Sequence, residues 1–145
     1  MTEFSRTIQI RWADLDPNFH IRHSVFYDWA AFCRVEFLNE HGLTTQVMQE
    51  LKFGPILFRE ECIFRKEIRL GDEIKIDLQL LRSKKDFSRW SFQHQIIKAD
   101  ATVCAVLTVD GAWMDVVKRK LASPPEKVYD VFDKMPKAKN FEWLE

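Results

Sequence analysis

The sequence predicts an α+β domain in which one long buried helix lies against an antiparallel sheet. Two patterns carry this prediction. Between Ser24 and His41 the apolar residues Val25, Phe26, Trp29, Ala30, Phe32, Cys33, Phe37 and Leu38 recur at helical spacing. Their arc is too wide for a helix lying on a surface. From Ile74 to Leu80, and again from Trp90 to Ile96, apolar and polar residues alternate. That is the period of strands with one face on a core.

Taken in order, Thr7 to Trp12 reads as a short strand, and Asp14 to His23 has the Asp, Pro, Asn and His content of a loop. Ser24 is placed to cap the long helix, and Gly42 to stop it. Ile56, Phe58, Cys62, Phe64, Ile68 and Leu70 alternate with mostly charged neighbours, with breaks at Glu60 and Lys66. Turns are expected at Leu70-Gly71-Asp72 and at Lys84-Lys85-Asp86. Thr102 to Val109 is nearly continuous apolar sequence, as in a central strand covered on both sides. Ser123-Pro124-Pro125-Glu126 has the form of a capping box with proline at the first helical position. Val128, Val131, Phe132 and Met135 then give a short amphipathic helix, with a tail, at about 124–145. No repeat or linker divides residues 1–145, so a single domain is expected.

The composition narrows the function classes. Lysine plus arginine balance aspartate plus glutamate at 22 each, which gives no bulk electrostatic reason for a nucleic-acid or membrane partner. Cys33, Cys62 and Cys104 are widely spaced in apolar contexts, so reduced buried thiols are expected, without disulfides or zinc. No stretch reads as a signal peptide or a membrane span, which makes the cytoplasm the expected compartment.

The densest group of reactive side chains is the loop Asp14-Leu15-Asp16-Pro17-Asn18-Phe19-His20-Ile21-Arg22-His23, which runs straight into the buried helix. A helix start carries unpaired N–H groups and partial positive charge. Such donors stabilise an oxyanion in acyl transfer, and a nearby carboxylate can attack the acyl carbon or activate water. The same residues also make an ordinary polar turn with a helix-terminal aspartate, so chemistry and capping both stay open on residue types alone. His94 follows the apolar parity of its strand and reads as a core histidine; Asp14 reads as a residue that orients the loop.

Arg11-Trp12-Ala13-Asp14-Leu15-Asp16, the Asn18-to-His23 loop and Phe26-Tyr27-Asp28-Trp29 resemble the opening motif of hot-dog-fold thioesterases. The similar branches are the 4-hydroxybenzoyl-CoA thioesterase-like enzymes and the acyl-ACP thioesterases; Leu70-Gly71-Asp72-Glu73 is similar to a turn of that family. The resemblance implies a hot-dog fold, an antiparallel five-stranded sheet wrapped around one long central helix. It implies Asp16 as the catalytic carboxylate, either nucleophile or general base. In the acyl-CoA branch the helper matches His23, whose backbone N–H would polarise the carbonyl. In the acyl-ACP branch, Asp16-Pro17-Asn18-Phe19-His20 fits an Asp-x-Asn-x-His pattern, and Glu61 matches a further acid. Pro17-Asn18-Phe19 stands where the acyl-CoA branch often has glycines, and Arg22-His23 where the acyl-ACP branch has paired asparagines. Both helper sets therefore stay open.

The expected activity is thioester hydrolysis of acyl-CoA or acyl-ACP with no cofactor. A slot for the thioester arm is expected around Phe19, Phe26, Gly54, Pro55 and Ile56. The alternatives are a hot-dog dehydratase or hydratase and a non-catalytic acyl-thioester binder. The resemblance also implies a homodimer or homotetramer, with the Gly54-to-Glu61 strand of a neighbouring chain completing each pocket.

Overall fold

In the computed structural model, which describes residues 3–145, β1 (Ser5–Ile8) leads through a 3-10 turn (Trp12–Asp14) to α1 (His23–Glu40). A second helix, α2 (Thr45–Leu51), precedes β2 (Phe53–Phe64), β3 (Ile74–Asp77), β4 (Gln79–Ser83), β5 (Arg89–Lys98) and β6 (Val103–Asp115). The chain ends with β7 (Lys120–Leu121), α3 (Glu126–Asp133) and β8 (Lys137–Trp143). All strand pairs are antiparallel except β4 with β8, which is parallel.

Across the sheet β2 pairs with β6, β6 with β5, and β5 with both β3 and β4. These last two form one strand interrupted at Leu78, whose N–H donates to the Phe4 carbonyl at 3.1 Å. With that interruption bridged, β1, β2, β3/β4, β5 and β6 are the five strands expected. The short β7 and the tail strand β8 are additions. The tail was expected only to follow a helix, but its parallel pairing with β4 covers a sheet edge.

Several boundaries differ from the sequence reading, each for a local reason. The first strand lies at Ser5–Ile8 rather than Thr7 to Trp12, because Trp12 is drawn into the turn that the Arg11–Asp14 pair closes. Arg22, in extended conformation, holds the N-cap position of α1 in place of Ser24 but makes no capping bond; the Ser24 hydroxyl accepts from Arg22 Nη1 at 2.6 Å. The box expected at Ser123 does not close: Pro125 is the cap residue, and the Ser123 hydroxyl lies 3.5 Å from Asp86. The short α2 has no counterpart in the reading, although Thr44 caps it with its hydroxyl on the Val47 N–H at 3.2 Å.

Helix α1 buries Val25, Phe26, Trp29, Ala30, Cys33 and Phe37, and the inner face of the sheet offers Ile76, Leu80, Ile96 and Leu107. Its opposite side is not covered, since Phe32 and Val35 are 44% and 47% exposed. At the foot of the sheet α3 sets Phe132 among Phe87, Trp90, Phe92 and Trp113, with ring centroids 5.3–6.3 Å apart. Gly111 makes room for this cluster: a Cβ there would stand 2.3 Å from Trp90 Cη2 and 2.7 Å from the Ile56 carbonyl oxygen. The three cysteines are free, and burial pushes the Cys33 and Cys62 thiols up to about 12 and about 11. Neither is poised as a thiolate.

His94 and Asp77 are among the polar groups buried in the core. His94 is fully buried between the Asp77 carbonyl, 2.7 Å from Nδ1, and the Arg34 guanidinium, 3.1 Å from Nε2. Arginine can only donate, so Nε2 accepts and Nδ1 carries the proton. Burial, reinforced by Arg34, pushes the His94 pKa down to about 3. Burial pushes the Asp77 carboxyl up to about 6, although its Oδ1 accepts from the Gln95 N–H at 2.6 Å.

These two groups act on stability in opposite senses. The unfolded imidazole takes up a proton below its ordinary 6.5 and the folded one does not until about 3, so His94 costs stability as pH falls through that window. Folded Asp77 keeps its proton to about 6 against an ordinary 3.8, so its contribution is lost as pH rises through that window. Between these limits the two nearly cancel. Asp77→Asn should therefore expose the histidine slope, an added loss of about 1.4 kcal/mol per pH unit from about pH 6 to pH 4 relative to wild type. Urea unfolding across that range measures it; parallel pH profiles for the two proteins would contradict it.

Candidate active site at the start of α1

The loop before α1 is built on two aspartates with different tasks. Asp14 is fully buried and closes a ring with Arg11: the Arg11 N–H donates to Oδ2 at 2.9 Å and Nη2 to Oδ1 at 2.7 Å. That guanidinium holds the Asp14 carboxyl below the usual carboxylate range. The Asp14 carbonyl also accepts from the Arg22 N–H at 2.9 Å, which fixes the residue preceding α1. Asp14 thus positions the loop without facing the cleft.

Asp16 organises the tip. Its Oδ1 accepts from the N–H groups of Asn18 (2.9 Å) and His20 (3.1 Å), an Asx turn. Its own N–H donates to the His20 carbonyl at 2.7 Å, and its carbonyl accepts from the Phe19 N–H at 3.0 Å. The turn carries Phe19 at φ +65°, a left-handed conformation that a bulky side chain adopts only under such constraint. The loop is stitched to the 67–69 segment by the Ile21 N–H on the Ile68 carbonyl at 3.0 Å and a bridge between His20 and Arg69.

The helix start remains open. Arg22 provides no side-chain cap, and among the described residues no backbone carbonyl accepts from the His23 or Ser24 N–H. Asp16, His20, His23, Phe26, Phe64 and Ile68 surround a cleft of about 330 Å³ at this point. Phe26 and Phe64 meet edge to face at 5.0 Å and give it an apolar wall. Arg65, Lys66 and Glu67 form its polar side, with His20 Nε2 lying 3.3 Å from Glu67 Oε2. A larger depression of about 940 Å³ between β1 and the 71–75 turn contains no histidine or cysteine, and its Lys98 and Asp72 are paired at 3.4 Å. Among the described residues no three His, Cys, Asp or Glu side chains converge as metal ligands.

Of the residues singled out in the sequence, the structure brings Asp16, His20, His23 and Phe26 to this one cleft. Asn18 is exposed and contributes its backbone N–H to Asp16, and Phe19 stands outside against Trp12 with ring centroids 6.3 Å apart. Gly54, Pro55 and Ile56 lie towards the other end of β2, opposite Met114, Trp113 and Ala112, and do not line the cleft. Glu61 does not reach it either. A bulge between Leu57 and Arg59 shifts the parity of β2 by one residue. As a result Glu60 turns inward to Arg34, while Glu61 pairs with Arg59 on the outer face of the sheet, where Asp110 accepts from the Ser91 hydroxyl. The 64–68 wall is absent from the sequence reading; its one trace there is the break in alternation at Lys66.

Comparison with known proteins places this geometry in context. The family model described as the thioesterase-like superfamily matches residues 10–132. A Staphylococcus aureus protein characterised in complex with CoA superposes with a TM-score of 0.83 at 18% identity, covering 95% of this chain and 89% of its own. A 1,4-dihydroxy-2-naphthoyl-CoA thioesterase from Synechocystis gives 0.81 at 18%, covering 92% and 97%. A Thermus thermophilus thioesterase complexed with coenzyme A and zinc gives 0.73 at 20%, covering 88% and 90%. At these identities the likeness is one of fold, the curled sheet around a central helix expected above. No protein with a curated description matches in sequence.

The loop geometry makes Asp14 the residue on which the cleft depends. Asp14→Ala removes the charge-assisted bonds from Arg11 and should lower stability by about 1.5–3 kcal/mol. Limited proteolysis should then cut first between residues 11 and 22. Wild-type stability and cleavage pattern in the variant would contradict this role.

Proposed function

The chain belongs to the thioesterase-like superfamily, and from that premise we propose that it hydrolyses an acyl thioester carried on coenzyme A or acyl carrier protein. The observation that carries the reading is that the Asp16 carboxylate and an uncapped helix start face one cleft. A thioester carbonyl oxygen placed on the His23 and Ser24 N–H groups gains donors that need no reorganisation as negative charge develops. Both bonds to the Asp16 carboxylate fall on Oδ1, so Oδ2 serves the incoming group. As general base it takes a proton from water while the oxygen adds to the acyl carbon; as nucleophile it adds directly, and water opens the resulting anhydride. In either route the carbon–sulfur bond breaks and the thiolate leaves with a proton. His20 or His23, both lining the cleft, supplies that proton.

Coenzyme A is favoured as carrier by the similar structures that hold it. The assembly is a dimer or tetramer, in which the β2 edge left unpaired by β6 and the apolar side chains beside it meet a second copy. Leu57, Phe58, Ile63 and Phe64 are 41–50% exposed there, more apolar surface than a lone strand edge keeps in water.

Asp16→Asn should retain the fold and lose thiol release by a factor of about 10² to 10⁴, read with a thiol reagent across acyl-CoA and acyl-ACP substrates. Full activity in that variant would remove the mechanism, and water loss without thiol release would point to dehydration instead. Light scattering at micromolar concentration should give twice the 17.3 kDa chain mass or a larger multiple. A purely monomeric species would contradict the assembly.

A further inference from the structure

A second cavity, of about 190 Å³, lies between the latter half of α1, the first half of β2 and the aromatic cluster under α3. Its walls include Leu38, Leu57, Trp90, Phe92, Trp113 and Phe132, and it shares no lining residue with the Asp16 cleft. Trp90 and Phe92 stack there, with ring centroids 4.3 Å apart and 10° between their planes. An apolar cavity of about 150 Å³ takes up benzene, so this space suits one aromatic ring with a small substituent.

Unlike a purely apolar cavity, this one is bordered by hydrogen-bond donors in search of acceptors. The indole N–H groups of Trp90 and Trp113 are buried and, among the described residues, donate to nothing. A buried donor left unsatisfied costs about 1–3 kcal/mol, and a guest carrying an acceptor oxygen relieves that cost.

Arg34 adds a charge to the same lining. Its side chain is only 11% exposed. Nη1 lies 3.1 Å from His94 Nε2, and among the described residues Nε and Nη2 make no hydrogen bond. Glu60 alone among the described residues brings a carboxylate within reach, at 4.0 Å from Nη2, and that carboxylate is a third exposed. The separation is too long for a hydrogen bond. A buried cation is well held when its counter-ion bonds it directly, and here the counter-ion stands off.

Two requirements thus meet in one place. The stacked aromatic walls and the volume select a ring, while the spare donors of Arg34 and the two indoles select an anionic acceptor. A carboxylate joins a guanidinium through two parallel bonds, and Glu60 is exposed enough to turn to water when one arrives. We propose that this cavity is a binding site for a free aromatic monocarboxylate of about benzoate size, held through Arg34 and separate from the Asp16 cleft. The site is independent of the thioesterase reading, since none of its residues takes part in that chemistry.

Fluorine NMR with 4-fluorobenzoate and its neutral counterpart 4-fluorobenzamide tests the proposal. Titration into wild-type protein should shift and broaden the benzoate line saturably, with an affinity about tenfold or more above that for the amide. Val35→Phe fills the cavity from a part-exposed position and should abolish saturation. Arg34→Gln should erase the preference for the acid over the amide. Melting temperatures report whether each variant folds; Arg34 also bonds His94, so Val35→Phe decides the question if Arg34→Gln does not fold. Asp16→Asn should bind 4-fluorobenzoate as the wild type does, whatever becomes of its thiol release. The proposal is overturned by a lack of saturable binding, by equal affinity for acid and amide, by binding that survives Val35→Phe, or by binding lost in Asp16→Asn.

Discussion

A helix packed along its whole length against a curled sheet has little freedom in where its ends come to rest, and in this protein that constraint governs everything else. The buried side of α1, from Val25 to Phe37, fixes the helix against β1, β2 and β3. Its N-terminal turn then emerges beside the loop that Arg11 and Asp14 hold shut. Among the described residues the His23 and Ser24 N–H groups of that turn have no backbone partner, so whatever occupies the cleft completes the helix. The Asx turn at Asp16 places a carboxylate beside those donors without using both of its oxygens. Packing at the centre of the molecule thus determines the chemistry at its rim.

The part of this that could be read from the sequence is the part with a strict local rule. The helical period from Val25 to Leu38 and the alternation from Ile74 to Ile96 each report which side chains face the core, and the structure has the helix and strands there. The loop with Asp16, His20 and His23 stood out because reactive types are concentrated before a buried helix, and the structure gathers all three around one cleft. The cleft wall from Phe64 to Ile68 could not be read in this way. It comes from tertiary pairing, the Ile21 N–H on the Ile68 carbonyl, which leaves no periodic mark.

Glu61 comes from the resemblance to the acyl-ACP branch, and no periodic rule places it. β2 carries an extra residue at Phe58, and every side chain beyond it changes side relative to Phe53, Pro55 and Leu57. Glu60 consequently turns towards Arg34 while staying exposed, and Glu61 pairs with Arg59 on the other face. The same bulge separates Leu57, which borders the tryptophan-lined cavity, from Phe64, which borders the Asp16 cleft. One inserted residue thereby gives a single strand two different jobs. Ser24 and Ser123 failed as caps for a related reason: a side-chain acceptor was present at each, but Arg22 and Asp86 offered those hydroxyls other partners.

The interrupted strand β3/β4 has a consequence for how the chain folds. Its outer edge is covered by β1 at one end and by β8 at the other, so segments almost the full length of the chain apart complete the same border. Pairings of such high sequence separation are slow to form and raise the contact order. During synthesis that border stays ragged until β8 has left the ribosome, while α1 and the β5–β6 hairpin can already assemble. For the interval in between, the nascent domain has an unpaired edge along β4 that, among the described residues, β8 satisfies, which ties completion of the sheet to the emergence of that late strand.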